Sequence, residues 1–242
     1  MLSLDLHTHT RFFHGFTGRA TPYDPVGARL LGTVAAVRGL DGVALTNHDY
    51  YEPLSAGPVT SIPGIEVTTT QGHVLVVGPD PPRFTQPEEL TPVEVVETAH
   101  DRGCAAIIAH PYRNSTVREV EAPFDAIEAN GKHPRTRTWV EQLSDRLGLP
   151  MVGGSDAHYP IEVGRAYTEV DVGAAPEDVS PEDVVSAIRD GRVRPSVGNW
   201  LPDRVLRLLY ERVHKQKRHL DTPEWADEEG TPGIGEPPGD DD

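Results

Sequence analysis

The chain has 242 residues, with 38 acidic against 22 basic side chains and a net charge of −16. That length suits one large domain with a full core, and the acidic balance argues against extensive binding to duplex nucleic acid. One cysteine, Cys104, excludes an intramolecular disulfide, and no apolar run reaches the ~20 residues that span a bilayer, so a cytoplasmic protein with no membrane partner is expected.

Taken in chain order, short β-rich runs alternate with helical segments, which argues for an α/β barrel or a doubly wound sheet. The expected strands cover residues 2–6, 42–46, 61–67, 73–78, 105–109, 126–129 and 151–153. Asp24-Pro25 supplies an N-cap and a first-turn proline for a helix running to about Gly39. Thr91-Pro92 does the same for 92–102, ended by Gly103; Pro134 opens a helix stopped by Gly148, and Ser180-Pro181 opens one ending at Asp190-Gly191. Residues 79–90, with four prolines, read as a surface loop, and 201–218 as a last amphipathic helix. Residues 221–242 carry nine acids and no Lys or Arg among many Pro and Gly. The expected organisation is therefore a domain over 1–220 and a disordered acidic tail over 221–242.

The chemistry sits at the ends of the apolar runs. Asp5-Leu6-His7-Thr8-His9 closes the first strand, and residues i and i+2 of a strand share a face, so His7 and His9 offer two imidazoles to one ion. His48-Asp49 follows Gly-Val-Ala-Leu, His110 follows Ala-Ala-Ile-Ile-Ala, and Asp156 and His158 follow Met-Val-Gly-Gly. In a (β/α) barrel the C-terminal strand ends converge on one mouth. His73 instead precedes its run, which fits a strand returning from Glu66 to the same rim. Seven histidines (7, 9, 14, 48, 73, 110 and 158) with Glu66 and Asp156 exceed what one ion uses, about four donors for zinc and about six for Mn or Fe with waters included. Two or three ions are implied, with Glu66 as the natural bridge. Ions ~3.5–4 Å apart hold a bridging hydroxide for attack on phosphorus and neutralise the charge that develops. Hydrolysis of a phosphate ester is the expected reaction, with His7, His9, Glu66 and Asp156 at its centre.

These residues resemble the signature blocks of the PHP family, the polymerase-and-histidinol-phosphatase metal-dependent phosphoesterases. The blocks stand here as Asp5-Leu6-His7-Thr8-His9, Thr46-Asn47-His48-Asp49, Ala109-His110-Pro111 and Gly154-Ser155-Asp156-Ala157-His158, with Glu66 and His73 between them. The resemblance covers about residues 1–200 and implies a distorted, TIM-like (β/α) barrel of seven strands with a trinuclear site of Mn, Zn or Fe. Carried over by motif, His7, His9, Glu66 and Asp156 hold one ion; Glu66, His73 and His110 a second; His14, His48 and His158 a third. His14 is a departure, because relatives of this size often carry Ser-Asp-Gly where this chain has Phe13-His14-Gly15. Asp5 and Asp49 are read as partners that orient imidazoles, Asp49 being the nearer of the two to a metal.

The compact length and the block His110-Pro111-Tyr112-Arg113 look most like the hydrolases of nucleotide phosphates and oligonucleotide ends. The expected substrate is a small phosphorylated molecule or a short single-stranded oligonucleotide, handled as by a nucleotide phosphatase or exonuclease. Arg113, Arg19 and Asn130 are the candidate phosphate contacts. Histidinol-phosphate phosphatase is the alternative within the class. Two readings lie outside it. Binuclear amidohydrolases often need a bridging carbamylated lysine in mid-barrel, whereas the lysines here are Lys132 and two on the last helix, Lys215 and Lys217. A non-catalytic RNA-binding subunit built on a PHP-like barrel predicts eroded ligands and a basic surface, and neither is present.

Overall fold

In the computed structural model, which describes residues 1–10, 19–132 and 136–198, the elements follow one another as β1 (Leu2–Thr8), α1 (Asp24–Val37), β2 (Gly42–Leu45), β3 (Thr60–Thr69), β4 (Gly72–Val77), α2 (Pro92–Asp101), β5 (Ala105–Ile108), β6 (Ala126–Asn130), α3 (Arg137–Leu147), β7 (Met151–Gly154), β8 (Ala166–Val170), α4 (Pro181–Arg189) and β9 (Val193–Val197). The strands form one sheet in the order β7-β6-β5-β4-β3-β2-β1-β8-β9. Two parallel triplets, β1-β2-β3 and β5-β6-β7, are joined through β4, which runs antiparallel to both its neighbours. The sheet curls until the end of β7 meets β1, where His9 N donates to Ala157 O at 2.9 Å. On the outside of this closure the Thr168 hydroxyl accepts from Gly153 N and donates to Gly153 O, both at 2.8 Å. The result is a distorted, nearly closed barrel of TIM-like type.

All seven expected strands are present. The sheet has nine among the described residues rather than the seven the resemblance implies, because β8 and β9 add an antiparallel pair beyond β1. β9 reads Val-Arg-Pro-Ser-Val, and a proline at its centre is tolerated because the strand lies at the sheet edge.

The helix starts follow the sequence signals with one correction. α2 and α4 open on capping boxes, Thr91 with Glu94 and Ser180 with Asp183. α1 does not use Asp24 as its cap. Tyr23 holds the cap position, while the Asp24 carboxylate turns back to accept from Thr21 N (2.8 Å), Thr21 Oγ1 (3.0 Å) and Tyr50 OH (3.1 Å). α3 ends at Gly148, whose φ of 66° is the left-handed conformation glycine adopts without strain. Pro134, the 201–218 helix and the 221–242 tail lie outside the described residues. Among the described residues no helix is long and apolar enough to cross a membrane.

Alternation along the strands divides the core into layers. Leu75, Val77, Ile107, Ala126 and Val152 fill the barrel and meet Val184 and Ile188 of α4. Their chain neighbours Val74, Val76, Ile108 and Ile127 face outward to Val95, Val96 and Ala99 of α2 and to Trp139, Val140 and Leu143 of α3. Ala28, Leu31 and Ala35 of α1 cover Val43 and Leu45 of β2. Close approach demands glycine at Gly27, where a Cβ would run into the Thr10 carbonyl.

Candidate metal centre

The inner-facing positions at one rim of the barrel carry the polar cluster. On β3, Ile62 belongs to the barrel filling and Glu66, four residues on, keeps its face; on β4, His73 shares the face of Leu75 and Val77. β1 reaches the rim differently. From Asp5 to Thr8 it advances three residues while β2 advances two, so one extra residue is accommodated. Leu6 therefore joins the barrel filling and His7, its neighbour, still faces the cluster. At the ends of β5 and β7, His110 (φ 24°) and Asp156 (φ 51°) turn inward through positive φ. For residues with a Cβ that conformation costs about 1–2 kcal/mol each, a cost that the contacts of the cluster offset.

Glu66 is the hub and is fully buried. Its Oε1 lies 2.6 Å from His73 Nδ1 and 3.0 Å from His110 Nε2. Its Oε2 lies 3.1 Å from His48 Nδ1, 3.2 Å from His7 Nε2 and 3.3 Å from His9 Nε2. The two oxygens thus face two different sets of imidazoles, which is how a bridging carboxylate is built. Asp156 forms a second focus: its Oδ1 is 3.3 Å from His9 Nε2 and 3.2 Å from His158 Nδ1, with His7 Nε2 at 3.8 Å. Three groups of side chains bring their donor atoms within 4.8 Å of one another: His7, His9 and Asp156; His48, Glu66 and His73; and His9, His48 and His158. His7, His9, His48, Glu66, His73, His110, Asp156 and His158 are therefore all brought to one place, and His14 lies outside the described residues.

The donor set fits divalent ions. Among the described residues, buried His7 Nε2, both nitrogens of His9, His110 Nδ1 and Glu66 Oε2 make no hydrogen bond of good geometry, although His7 and His9 approach Glu66 Oε2 closely. Such buried polar atoms are costly unless something satisfies them. Electrostatics agree. Burial is the largest influence on His9, and neighbouring His158 and His48 reinforce it, holding the ring well below its usual range. Burial pushes His48 down to about 3 and lowers His110 as well. Neutral imidazoles are the form that ligates. Glu66 and Asp156 stay ionised against strong burial, Glu66 because of His48, His7 and His73, and Asp156 because of Lys132, His158 and His7. His7 goes the other way: burial opposes its charge, but Glu128, Glu66 and Asp156 together hold it well above the ordinary value.

Other candidate residues take different places. Among the described residues Asp5 makes no hydrogen bond to an imidazole ring. Its carboxylate accepts from Ser155 N (2.9 Å), His7 N (3.3 Å) and Gly164 N (2.8 Å), fastening β1 to the segments around β7 and β8. Asp49 is spent on Thr68 N, the Thr68 hydroxyl and the Thr85 hydroxyl, and so faces away from the cluster. Both correct the expectation that these acids orient imidazoles. Arg113 does reach the rim, donating from Nη1 to Asp156 Oδ2 at 3.0 Å. Asn130 stands behind it: its amide donates to Glu128 Oε2 at 3.1 Å and its carbonyl accepts from Lys132 N at 2.8 Å. Arg19 is exposed and adjoins residues 11–18.

Two functional side chains escape the motif reading. Glu128, fully buried, binds His7 Nδ1 through Oε1 at 2.8 Å and His110 N through Oε2 at 2.8 Å. Gly154 leaves the room it needs, since a Cβ there would strike Glu128 Oε1. The signal was available, because Ala126, Glu128 and Asn130 alternate on one face of β6. Lys132, given no role by the sequence beyond its poor fit to a mid-barrel bridging lysine, sends its Nζ to within 3.1 Å of Asp156 Oδ1 and 2.8 Å of His158 Nδ1. A lysine therefore does reach the cluster, yet the bridging place is held by Glu66.

The family described as PHP-associated matches residues 135–193. No curated protein matches the chain. Among solved structures, PsfC from Pseudomonas syringae superimposes with a TM-score of 0.68 at 19% identity, covering 89% of this chain and 98% of PsfC. A two-domain protein from Bacteroides vulgatus, described as containing a predicted PHP-like metal-dependent phosphoesterase, gives 0.57 at 20% identity over 81% of this chain and 65% of its own. Endonuclease Q, solved with a 27-mer duplex substrate bearing an abasic lesion, gives 0.52 at 18% identity over 78% and 56%. The chain thus spans about two thirds of the second protein and just over half of the third, and at these identities the likeness establishes a shared fold.

Proposed function

We infer that this PHP-family protein is a metal-dependent hydrolase of phosphate esters, acting on nucleotides or the ends of short oligonucleotides. The observation that carries this reading is Glu66, whose two oxygens face separate sets of imidazoles beside Asp156. His7, His9, Glu66 and Asp156 would hold one ion, and Glu66, His73 and His110 a second, with His48 and His158 available to a further cation. Bound there, the ions supply a water activated near neutral pH and positive charge for the phosphoryl oxygens.

The protein's own groups do the rest. Glu128 keeps the proton of His7 on Nδ1, so that Nε2 is the nitrogen offered inward. Arg113, about one-third exposed, holds Asp156 from the solvent side and has further N–H groups for a phosphate oxygen. His48, His73 and His158 are the partly exposed members of the cluster, so substrate would enter past them. Histidinol phosphate remains the alternative substrate. A non-catalytic RNA-binding role is disfavoured by the eight donor residues gathered at one rim, and an amidohydrolase role by Glu66 in the bridging place.

Phosphate release in the presence of Mn²⁺ from a nucleoside 3′,5′-bisphosphate, short single-stranded oligonucleotides, histidinol phosphate and an aryl phosphate tests the proposal. Turnover is expected with the bisphosphate or the oligonucleotides, and it should vanish in His7→Ala and Asp156→Ala proteins that keep native circular dichroism. No release from any of the four by ion-loaded protein would refute it. Removal of residues 221–242 is expected to leave kcat unchanged, and a large drop would make the tail part of the site.

A further inference from the structure

Arg113 reaches the metal centre from a short stretch of strained chain. Two residues of that stretch, His110 (φ 24°) and Asn114 (φ 46°), hold the left-handed conformation that a Cβ disfavours. Between them Arg113 N donates to His110 O at 2.9 Å and closes a tight turn. Such a backbone persists only where the surrounding contacts over-determine it. Here they converge on a side chain that no motif includes, Arg118.

Arg118 stands in a 3₁₀ turn, Val117–Glu119, whose Val117 is buried in the outer core layer. Its side chain, only 13% exposed, turns back over the loop. Nη1 donates to Pro111 O at 2.9 Å and also to Ser115 O, carbonyls on either side of Arg113. The guanidinium carbon lies 5.2 Å from the centre of the Tyr112 ring, and Nη2 meets Glu119 Oε1 at 3.0 Å. Tyr112 is pinned in turn by its hydroxyl, which donates to Trp139 O at 3.1 Å. Thr116 N donates to Gln71 O at 2.8 Å, tying the far end of the loop to the turn between β3 and β4. The planar fork of an arginine suits this place, because it serves two carbonyls and a ring face at once, whereas an ammonium is a point charge. His110 has supports of its own: its N donates to Glu128 Oε2 at 2.8 Å, and Ala109 N before it donates to His73 O at 3.3 Å.

We propose that Arg118 is the positioning residue for the phosphate grip of Arg113, closing the loop 111–115 so that Arg113 is aimed at the centre while Arg118 itself meets no substrate. The proposal rests on the phosphoesterase reading above, in which Arg113 contacts a phosphoryl oxygen. The Arg113 side chain is already at the rim, with Nη1 3.0 Å from Asp156 Oδ2. A guanidinium binds phosphate through directed, paired N–H groups, so a small misplacement of such a clamp is costly. Loss of Arg118 therefore weakens phosphate binding and leaves ion binding in place, because among the described members of the cluster only His110 adjoins this loop.

The test compares the full chain as wild type, Arg118→Met, Arg113→Met and the double variant. Mn²⁺ affinity is measured on chelator-stripped protein, then calorimetry with inorganic phosphate and turnover of a nucleoside 3′,5′-bisphosphate on the Mn²⁺-loaded forms. Arg118→Met is expected to weaken phosphate binding and raise KM by about tenfold, with kcat within about twofold and Mn²⁺ affinity unchanged. In the Arg113→Met background the same substitution should have no further effect. Arg118→Lys keeps the charge without the fork and should give about a threefold loss; it carries the test if Arg118→Met does not fold. Unchanged phosphate affinity in both Arg118 variants, an equal loss with and without Arg113, or a parallel loss of Mn²⁺ affinity would each overturn the proposal. Phosphate binding that survives Arg113→Met would overturn it too, by removing the contact that Arg118 serves. Wild-type protein that binds neither Mn²⁺ nor phosphate would instead sink the phosphoesterase reading, and the proposal with it.

Discussion

Glu128 illustrates how much of the centre depends on a residue that would touch no ion. It fixes the His7 ring through Oε1 while its Oε2 accepts from His110 N and Asn130 Nδ2. Glu128→Gln turns one acceptor into a donor facing donors, and losses at such supporting positions run to roughly 10–100-fold in ion affinity or activity. Titration of the variant with Mn²⁺ and measurement of kcat should both register it; unchanged values would mean that His7 orients itself. Asp5 is a different kind of buried acid. Burial raises it from 3.8 to about 6, against the hydrogen bonds from Ser155, Gly164 and His7 that lower it. Because the folded value is the higher, the unfolded chain ionises first as pH rises. The fold thus loses stability from about pH 4 to about pH 6 on this account, by roughly 3 kcal/mol at ~1.4 kcal/mol per unit. Urea melts of metal-free protein at pH 4 and pH 7 should show the wild type losing ground to Asp5→Asn across that interval, and a constant difference would refute it. Motif spacing found the imidazoles because each stands beside a strand end. It missed Glu128, which lies inside the plain run Ala-Ile-Glu-Ala-Asn, and it misassigned Asp5 and Asp49, because spacing does not show which backbone N–H groups a carboxylate will satisfy.

At the scale of elements, the centre depends on β4 running against its neighbours. That reversal puts the start of β4, and so His73, at the same rim as the end of β3 with Glu66. The order of Glu66, Gly72 and His73 makes this legible in the sequence. The helix starts were legible too where proline follows a Ser or Thr, and Thr91→Ala should cost about 1 kcal/mol through loss of the Thr91–Glu94 capping box. Thermal melts would show it, and an unchanged midpoint would mean the box is dispensable. Asp24 misled because its carboxylate had a better offer in Thr21 and Tyr50 than in its own helix. β8 and β9 went unseen for a related reason: a short strand of mixed polarity and one interrupted by Pro195 carry no period that local pattern can detect, and the pairing of β8 with β1 and of β9 with β8 is a tertiary fact.

Across the whole molecule, closure and chemistry share one line. Among the described residues no strand ladder joins β1 to β7. The junction consists of backbone bonds at His9, Ala157 and His7, the Asp5 carboxylate beneath them, and the Thr168 clip behind. His7 and His9 stand on one side of it and Asp156 on the other, with Asp156 held at a positive φ. Ion binding should therefore raise the unfolding temperature and slow amide exchange at residues 7–9 and 155–157 more than in α2 or α4. Uniform protection throughout the chain would argue against it. In mechanical terms, the barrel is a rolled plate whose two margins meet at the cluster, and ions held from both margins would act as rivets. A stretching load applied across that join should be resisted mainly by the ions, so the rupture force becomes a direct readout of whether the centre is filled.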